Sequence, residues 1–250
     1  MNLVKNFVDF VVNLTTKFTK RKTGTKFLSF LKFRLKMNKT IIKGLSHNLD
    51  LLIGTFNIEI LIDSPTLTEW LDVKNTLSES DTIIIEKLYN QAKLEANHWN
   101  EEELKMRLVS IMFLLSEMDV PKKVKVFYER PVKGLVNNIE ISVLADCLIA
   151  SPMAFNTPQT PYFFLQEYKK GRGETKDPEA QMLAAMLIAQ EKNQDGKPLF
   201  GSYIIGTDWY FTTLSDRNYT TSREYDVRNH DDIIAIVAIL RKLKELILNR

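Results

Sequence analysis

Apolar positions along the chain repeat with two different periods, and the change between them divides the sequence. From 78 to 118 they recur every three to four residues, the spacing that gathers them on one side of a helix. "SESDTIIIEKLYNQAKLEANHW" (78–99) predicts one helix, capped by Ser78, Ser80 or Asp81, and "NEEELKMRLVSIMFLLSEM" (100–118) predicts a second. Asn100 and Glu103 make a capping-box pattern. The stripe Leu104, Leu108, Ile111 and Leu115, continued backward by three, reaches Glu101, so Glu101 is expected to face whatever this helix packs on. Complementing the positive end of the helix dipole would be an ordinary role for the same glutamate.

Beyond Met118 the period becomes two. "KKVKVFYERP" and "NNIEISVLADCLIA" read as strands, with a turn through Pro131, Gly134 and Asn137-Asn138. In the second strand Ile139, Ile141, Val143, Ala145, Cys147 and Ile149 share a face, and Asp146 falls on the other between Leu144 and Leu148. A carboxylate among leucines is expected to be partly buried, and an unpaired one costs several kcal/mol, so something must satisfy it. The next strand, "YFFLQEYKK", puts Phe163, Leu165, Glu167 and Lys169 on one face.

A helix follows over "DPEAQMLAAMLIAQEKN" (177–193), with Asp177 as cap, Pro178 in its first turn, and Met182, Ala185, Met186 and Ala189 as a core stripe. "PLFGSYIIGTDWYFTTL" gives two strands split at Gly206-Thr207-Asp208. Its Tyr203, Trp209, Tyr210 and Phe211 suit core positions or base stacking. "SDRNYTTSREYDVRNHDD" reads as a polar connection to a last helix over "DIIAIVAILRKLKELIL". Ahead of all this, "LDLLIGTFNIEILI" holds short apolar pieces, and Ser64-Pro65 marks a turn or a helix start.

Charge changes the picture at the N-terminus. Of the 34 basic and 31 acidic residues, 1–36 hold nine basic and one acidic, leaving +8 there and −5 on the rest. A basic leader interleaved with Phe and Leu is expected to touch nucleic acid or a membrane surface, to be a solvated or poorly ordered tail, or, with Met37 as the true start, not to be translated. No apolar run approaches the roughly 20 residues needed to cross a bilayer. One cysteine, Cys147, excludes an internal disulfide and fits a reducing, cytoplasmic setting, and three scattered histidines do not make a zinc site. Glycine-rich phosphate loops, serine elbows and a supported Cys-His pair are absent from the sequence.

The chemistry therefore concentrates on Asp146, Glu167 and Lys169. If the two strands adjoin, two carboxylates and one ammonium share a small volume. A hard divalent cation, chiefly Mg²⁺, would relieve the repulsion of the acids, and the lysine could orient water or stabilise charge on a phosphate. A cross-strand salt bridge between Lys169 and either acid would use the same residues structurally.

The order of a helix with an inward Glu, a hairpin, a strand with Asp146 and a strand ending Glu167-Tyr168-Lys169 resembles the PD-(D/E)XK nuclease superfamily over roughly residues 95–215. Ala145 stands where the motif name has proline. "NEEELKMRLV" is similar to the first core helix of the N-terminal nuclease domains of type I restriction subunits. The resemblance implies an α/β, restriction-endonuclease-like core: a central mixed sheet of about four to five strands flanked by helices, plus a helical N-terminal extension. It divides the chain into a leader (1–36), an extension (37–95) and a nuclease-like domain (96–250).

It further implies an Mg²⁺-dependent phosphodiester hydrolase, with Mn²⁺ as a substitute ion. Asp146 and Glu167 would bind the metal, Glu101 would be a further ligand, and Lys169 would assist the attacking water. Gln181, on the helix after Glu-X-Lys, would contact substrate phosphate or the lysine, although an ordinary exposed glutamine suits that position as well. Lys170, Arg172 and Lys176 would supply basic surface for nucleic acid, DNA being favoured over RNA, and a homodimer is compatible with it. The alternative is a catalytically degenerate module of the same fold that binds nucleic acid or a protein.

Overall fold

Eight strands form one mixed sheet in the computed structural model, which describes residues 40–42, 44–74, 76–154, 156–169 and 177–250. The leader (1–36) and the basic residues Lys170, Arg172 and Lys176 lie outside the described residues. From Ile41 to Arg250 the chain is a single compact unit.

The strands are β1 (Glu59–Leu61), β2 (Lys125–Val136), β3 (Ile139–Ala154), β4 (Thr157–Lys169), β5 (Leu199–Ile205), β6 (Asp208–Ser215), β7 (Asn218–Thr221) and β8 (Tyr225–Asp226). Their order is β1-β7-β6-β5-β4-β3-β2, with β8 paired to β6. The pairs β1/β7 and β4/β5 are parallel and the rest antiparallel. The sheet is thus larger than the four to five strands expected. β1, β7 and β8 have three, four and two residues, too few for an alternation to register, and the last two lie inside the polar connection.

Helices cover both faces. On one side lie α1 (Leu49–Phe56) and α5 (Pro178–Asn193). On the other lie α2 (Pro65–Leu71), α3 (Glu79–Glu95), the continuous helix α4 (101–115) and α6 (His230–Leu248). Local chemistry sets their starts. Ser64, Ser78, Asn100, Asp177 and Asn229 each accept a backbone N–H from the first turn, with Pro65 and Pro178 directly inside their helices.

The centre of the sheet is closed on both sides, so β4 is buried continuously from Phe163 to Tyr168 and β5 from Leu199 to Ile204. α5 crosses between these two parallel strands. Every residue from Ala180 to Ala189 is buried, an all-round burial rather than the single stripe expected. Against α5, Gly134 is required by close approach: a Cβ there would meet Ile188 Cγ2 at 2.7 Å.

The β2–β3 turn is tighter than the sequence pattern predicts. Only Asn137 and Asn138 form it, with φ of 50° and 66°, the left-handed pair of a type I′ hairpin. Pro131 stays within β2, opposite Leu144, because β2 is an edge strand and an outward N–H is dispensable there.

Candidate functional site

Asp146 and Glu167 meet where β3 and β4 part. The ladder between these strands runs as far as Cys147 opposite Gln166, and one step beyond it Asp146 Oδ2 accepts the Tyr168 N–H at 3.0 Å. The side chain has replaced a backbone acceptor, which fixes the carboxyl at the carboxyl end of β4. The alternation of β3 also changes here. Ile141, Val143 and Ala145 pack in the core beneath α5, whereas Cys147 and Ile149 pack in the opposite core. The single apolar face expected through this strand is therefore broken at Asp146, and Leu144 is exposed rather than buried beside it.

Opposite the break lies a distortion of β2. Tyr128 pairs with Cys147 and Arg130 with Ala145, and between them Glu129 has φ 52°, a left-handed conformation in mid-strand that a residue with a Cβ adopts at a cost of about 1 kcal/mol or more.

The carboxyls of Asp146 and Glu167 are in hydrogen-bond contact, and Glu167 is 1% exposed. Gln181 Nε2, in the first turns of α5, donates to Glu167 Oε2 at 3.2 Å, while Glu167 Oε1 and Gln181 Oε1 are buried with no hydrogen-bond partner. Two acids in contact must share a proton or a cation. Burial, followed by the Asp146 charge and the shared hydrogen bond, holds the Glu167 carboxyl well above its usual range. Burial also raises Asp146, though the Tyr168 N–H and the Lys169 charge oppose this.

Lys169 does not bridge the two acids. Its Nζ donates to Glu101 Oε1 at 3.1 Å, linking the end of β4 to the first turn of α4. Burial disfavours its charge, but the Glu101 hydrogen bond and the charges of Asp146, Glu101 and Glu167 outweigh this and raise its pKa. Lys169 is an ammonium at neutral pH. The backward extension of the α4 stripe thus located Glu101 on the side facing the sheet, and Glu103 closes the capping box.

Contacts join these residues in two groups, Glu101 with Lys169 and Gln181 with Glu167 and Asp146, and the Lys169 charge couples the two groups through space. Gln181 is not the exposed glutamine its helix position also allowed, and its partner is Glu167 rather than the lysine. Sequence periodicity gave no signal for a second charged group beside them. Lys105 Nζ bonds Glu129 at 2.8 Å and Glu102 at 3.0 Å and lies 5.9 Å over the Tyr168 ring. The Glu129 charge also reaches Asp146 and raises it. Only the pairing of β2 with β3 brings that glutamate to the site.

Carboxylate oxygens are hard donors suited to Mg²⁺ or Mn²⁺, and the partnerless Glu167 Oε1 beside Asp146 fits such an ion. Asp146 and Glu167 are the residues that would hold it. Glu101, expected as a further ligand, has Oε1 committed to Lys169, and among the described residues no three His, Cys, Asp or Glu side chains are grouped to surround one ion. A scan of the chain against protein-family models finds no match, and a search of curated proteins finds none either. Among the described residues no helix is long and apolar enough to cross a membrane.

Proposed function

We propose that the protein is a metal-dependent nuclease of the PD-(D/E)XK type, with the restriction-endonuclease-like core that this implies. The observation that carries this reading is the pair formed by partly buried Asp146 and buried Glu167, two acids in contact with an ammonium two residues along the same strand. A structural ion pair would place Lys169 between the acids; it lies against Glu101 instead.

Bound at Asp146 and Glu167, Mg²⁺ would supply Lewis-acid stabilisation of charge on the scissile phosphate. The chain's own residues account for the rest. The Tyr168 N–H and Gln181 Nε2 orient the two carboxyls. Lys169, being protonated, acts as a donor to water or to a phosphate oxygen rather than as the base that removes a proton. Glu101 holds the ammonium in place. Lys170, Arg172 and Lys176 follow directly in sequence and would meet flanking phosphates.

The second reading, a degenerate module that binds without cutting, is favoured by the engagement of Glu101 with Lys169, which leaves two carboxylates for the ion. Incubation with single- and double-stranded DNA and RNA, in Mg²⁺, Mn²⁺ or chelator, separates the two readings. Cleavage is expected with either metal and not with chelator. Asp146→Ala and Lys169→Ala should each lower the rate by roughly 10²-fold or more. Metal binding without cleavage on any substrate would select the degenerate module, and cleavage surviving both substitutions would refute the assignment.

A further inference from the structure

Gln181 orients Glu167, yet its own amide is held by little. Nε2 donates to Glu167 Oε2 at 3.2 Å, Oε1 is buried without a partner, and among the described residues the side chain makes no other hydrogen bond. The amide is therefore placed by the backbone of α5. From Ala180 to Ala189 that helix buries apolar side chains, with Gln181 the one exception. Apolar packing is non-directional, so it fixes the distance of the helix from the sheet more firmly than its position along it.

Polar tethers at the two ends supply the missing direction. Near the C-terminal end, Asn193 Oδ1 accepts the Tyr162 N–H at 2.8 Å and its Nδ2 donates to the Tyr162 carbonyl at 2.7 Å, tying the helix to β4. At the N-terminal end the tether is Glu179, two residues before Gln181. Its Oε1 accepts the hydroxyls of Tyr219 at 3.0 Å and Thr221 at 3.3 Å, both on β7, and the carboxyl is hydrogen-bonded to Tyr203 on β5. Tyr203 is the partner of Glu167 in the parallel β4/β5 pair, so this tether grips the sheet at the level of the acid pair. A partly buried carboxylate is a costly way to hold a helix that already packs through ten consecutive buried residues. What it adds is a fixed position for the first turn.

Resting on the nuclease reading, we propose that Glu179 is a positioning residue for the metal site: by tying the first turn of α5 to β5 and β7 it sets Gln181 against Glu167 and so presets the carboxyl pair for a divalent ion. Its hydrogen bonds rather than its charge do this, and the effect passes through the Gln181 amide.

The probe is Mn²⁺ binding to the full chain, read by calorimetry and by loss of the free-ion paramagnetic resonance signal, with thermal unfolding in chelator to verify that each variant is folded. Wild type is expected to bind Mn²⁺. Glu179→Ala should weaken binding roughly tenfold, the lower end of what losing an outer partner of a metal ligand costs. Glu179→Gln keeps an oxygen that accepts the hydroxyls and should bind as wild type does. In a Gln181→Ala background, Glu179→Ala should have no further effect on affinity. Tyr219→Phe combined with Thr221→Val removes two of the donors from the opposite side and should weaken binding in the same way; it replaces Glu179→Ala in the cycle if that variant does not fold. Unchanged affinity in the folded tether variants would leave Glu179 a purely structural residue, an equal loss in Glu179→Gln and Glu179→Ala would assign the effect to charge, and additive losses with Gln181→Ala would assign it to another route. Each of these overturns the proposal while the metal site and the nuclease reading stand. No Mn²⁺ bound by wild type would overturn both.

Discussion

Replacing Glu167 by glutamine should stabilise the metal-free protein, although the residue is buried and lies at the heart of the candidate site. At neutral pH without metal, Glu167 must either hold a proton against solvent or bury a second charge beside Asp146, and an uncompensated buried charge costs several kcal/mol. Gln181 Nε2 and the Lys169 charge offset part of this. The Glu167→Gln amide has nearly the same shape, carries no charge, and can donate to Asp146 or to the partnerless Gln181 Oε1, where a new hydrogen bond is worth about 1 kcal/mol. A net gain of about 2 kcal/mol would raise the Tm of a unit this size by roughly 4–8 °C. The pH dependence distinguishes this from a simple packing effect. Because the folded-state pKa is raised, the native state binds the extra proton from about pH 4.3 upward to that raised value, and wild-type stability falls across that window as pH increases. Thermal unfolding in chelator should therefore show the largest gap between Glu167→Gln and wild type at pH 8 and a shrinking gap toward pH 4. Mg²⁺ should invert the order, since binding at 100 times Kd adds about 2.7 kcal/mol to wild type alone. A Glu167→Gln protein less stable than wild type at pH 8 in chelator, or a gap that does not move with pH, would refute the reasoning.

Glu101→Gln should lower stability slightly at pH 8, by at most about 1 kcal/mol because Glu101 is 41% exposed. Its partner Lys169 has a raised folded-state pKa, so the contribution is present below the ordinary lysine value, about 10.4, and is lost as pH rises through the folded one. Unfolding of both proteins at pH 8 and above pH 11 checks this, and an equal deficit at both would count against the ion pair. Gly134→Ala should cost about 1–3 kcal/mol in urea unfolding through its clash with Ile188 Cγ2, but much less in an Ile188→Ala background, where that atom is gone. Additive costs would place the strain elsewhere.

What could be read from the sequence was what depends on neighbours a few residues apart. The capping residues and Glu101 on the inner side of α4 follow from the helix period, because such relations are fixed by backbone geometry before any tertiary contact forms. The single face expected for Phe163, Leu165, Glu167 and Lys169 does not hold: Phe163 and Leu165 pack in opposite cores, and Glu167 meets α5 while Lys169 meets α4. The short strands were not legible for the opposite reason. β7 and β8 are held by pairing with β6, and nothing in a four- or two-residue segment requires it to be a strand until β6 is beside it. The same distinction divides the site itself. Asp146 could be singled out because a carboxylate between leucines conflicts with its surroundings, yet the inference that it shares a uniform face with Leu144 and Leu148 fails at Asp146 itself. The break coincides with the left-handed backbone of Glu129 opposite it on β2. That coincidence has physical content. A regular strand would pair Asp146 through its backbone and alternate its side chains without interruption; the lost rung instead frees the carboxyl to meet the Tyr168 N–H and Glu167. The irregularity that defeats the periodic reading is thus the feature that assembles the acid pair, and Glu129, with Lys105 clamped to it, belongs to the same electrostatic unit although no spacing rule connects it to the Glu-X-Lys segment.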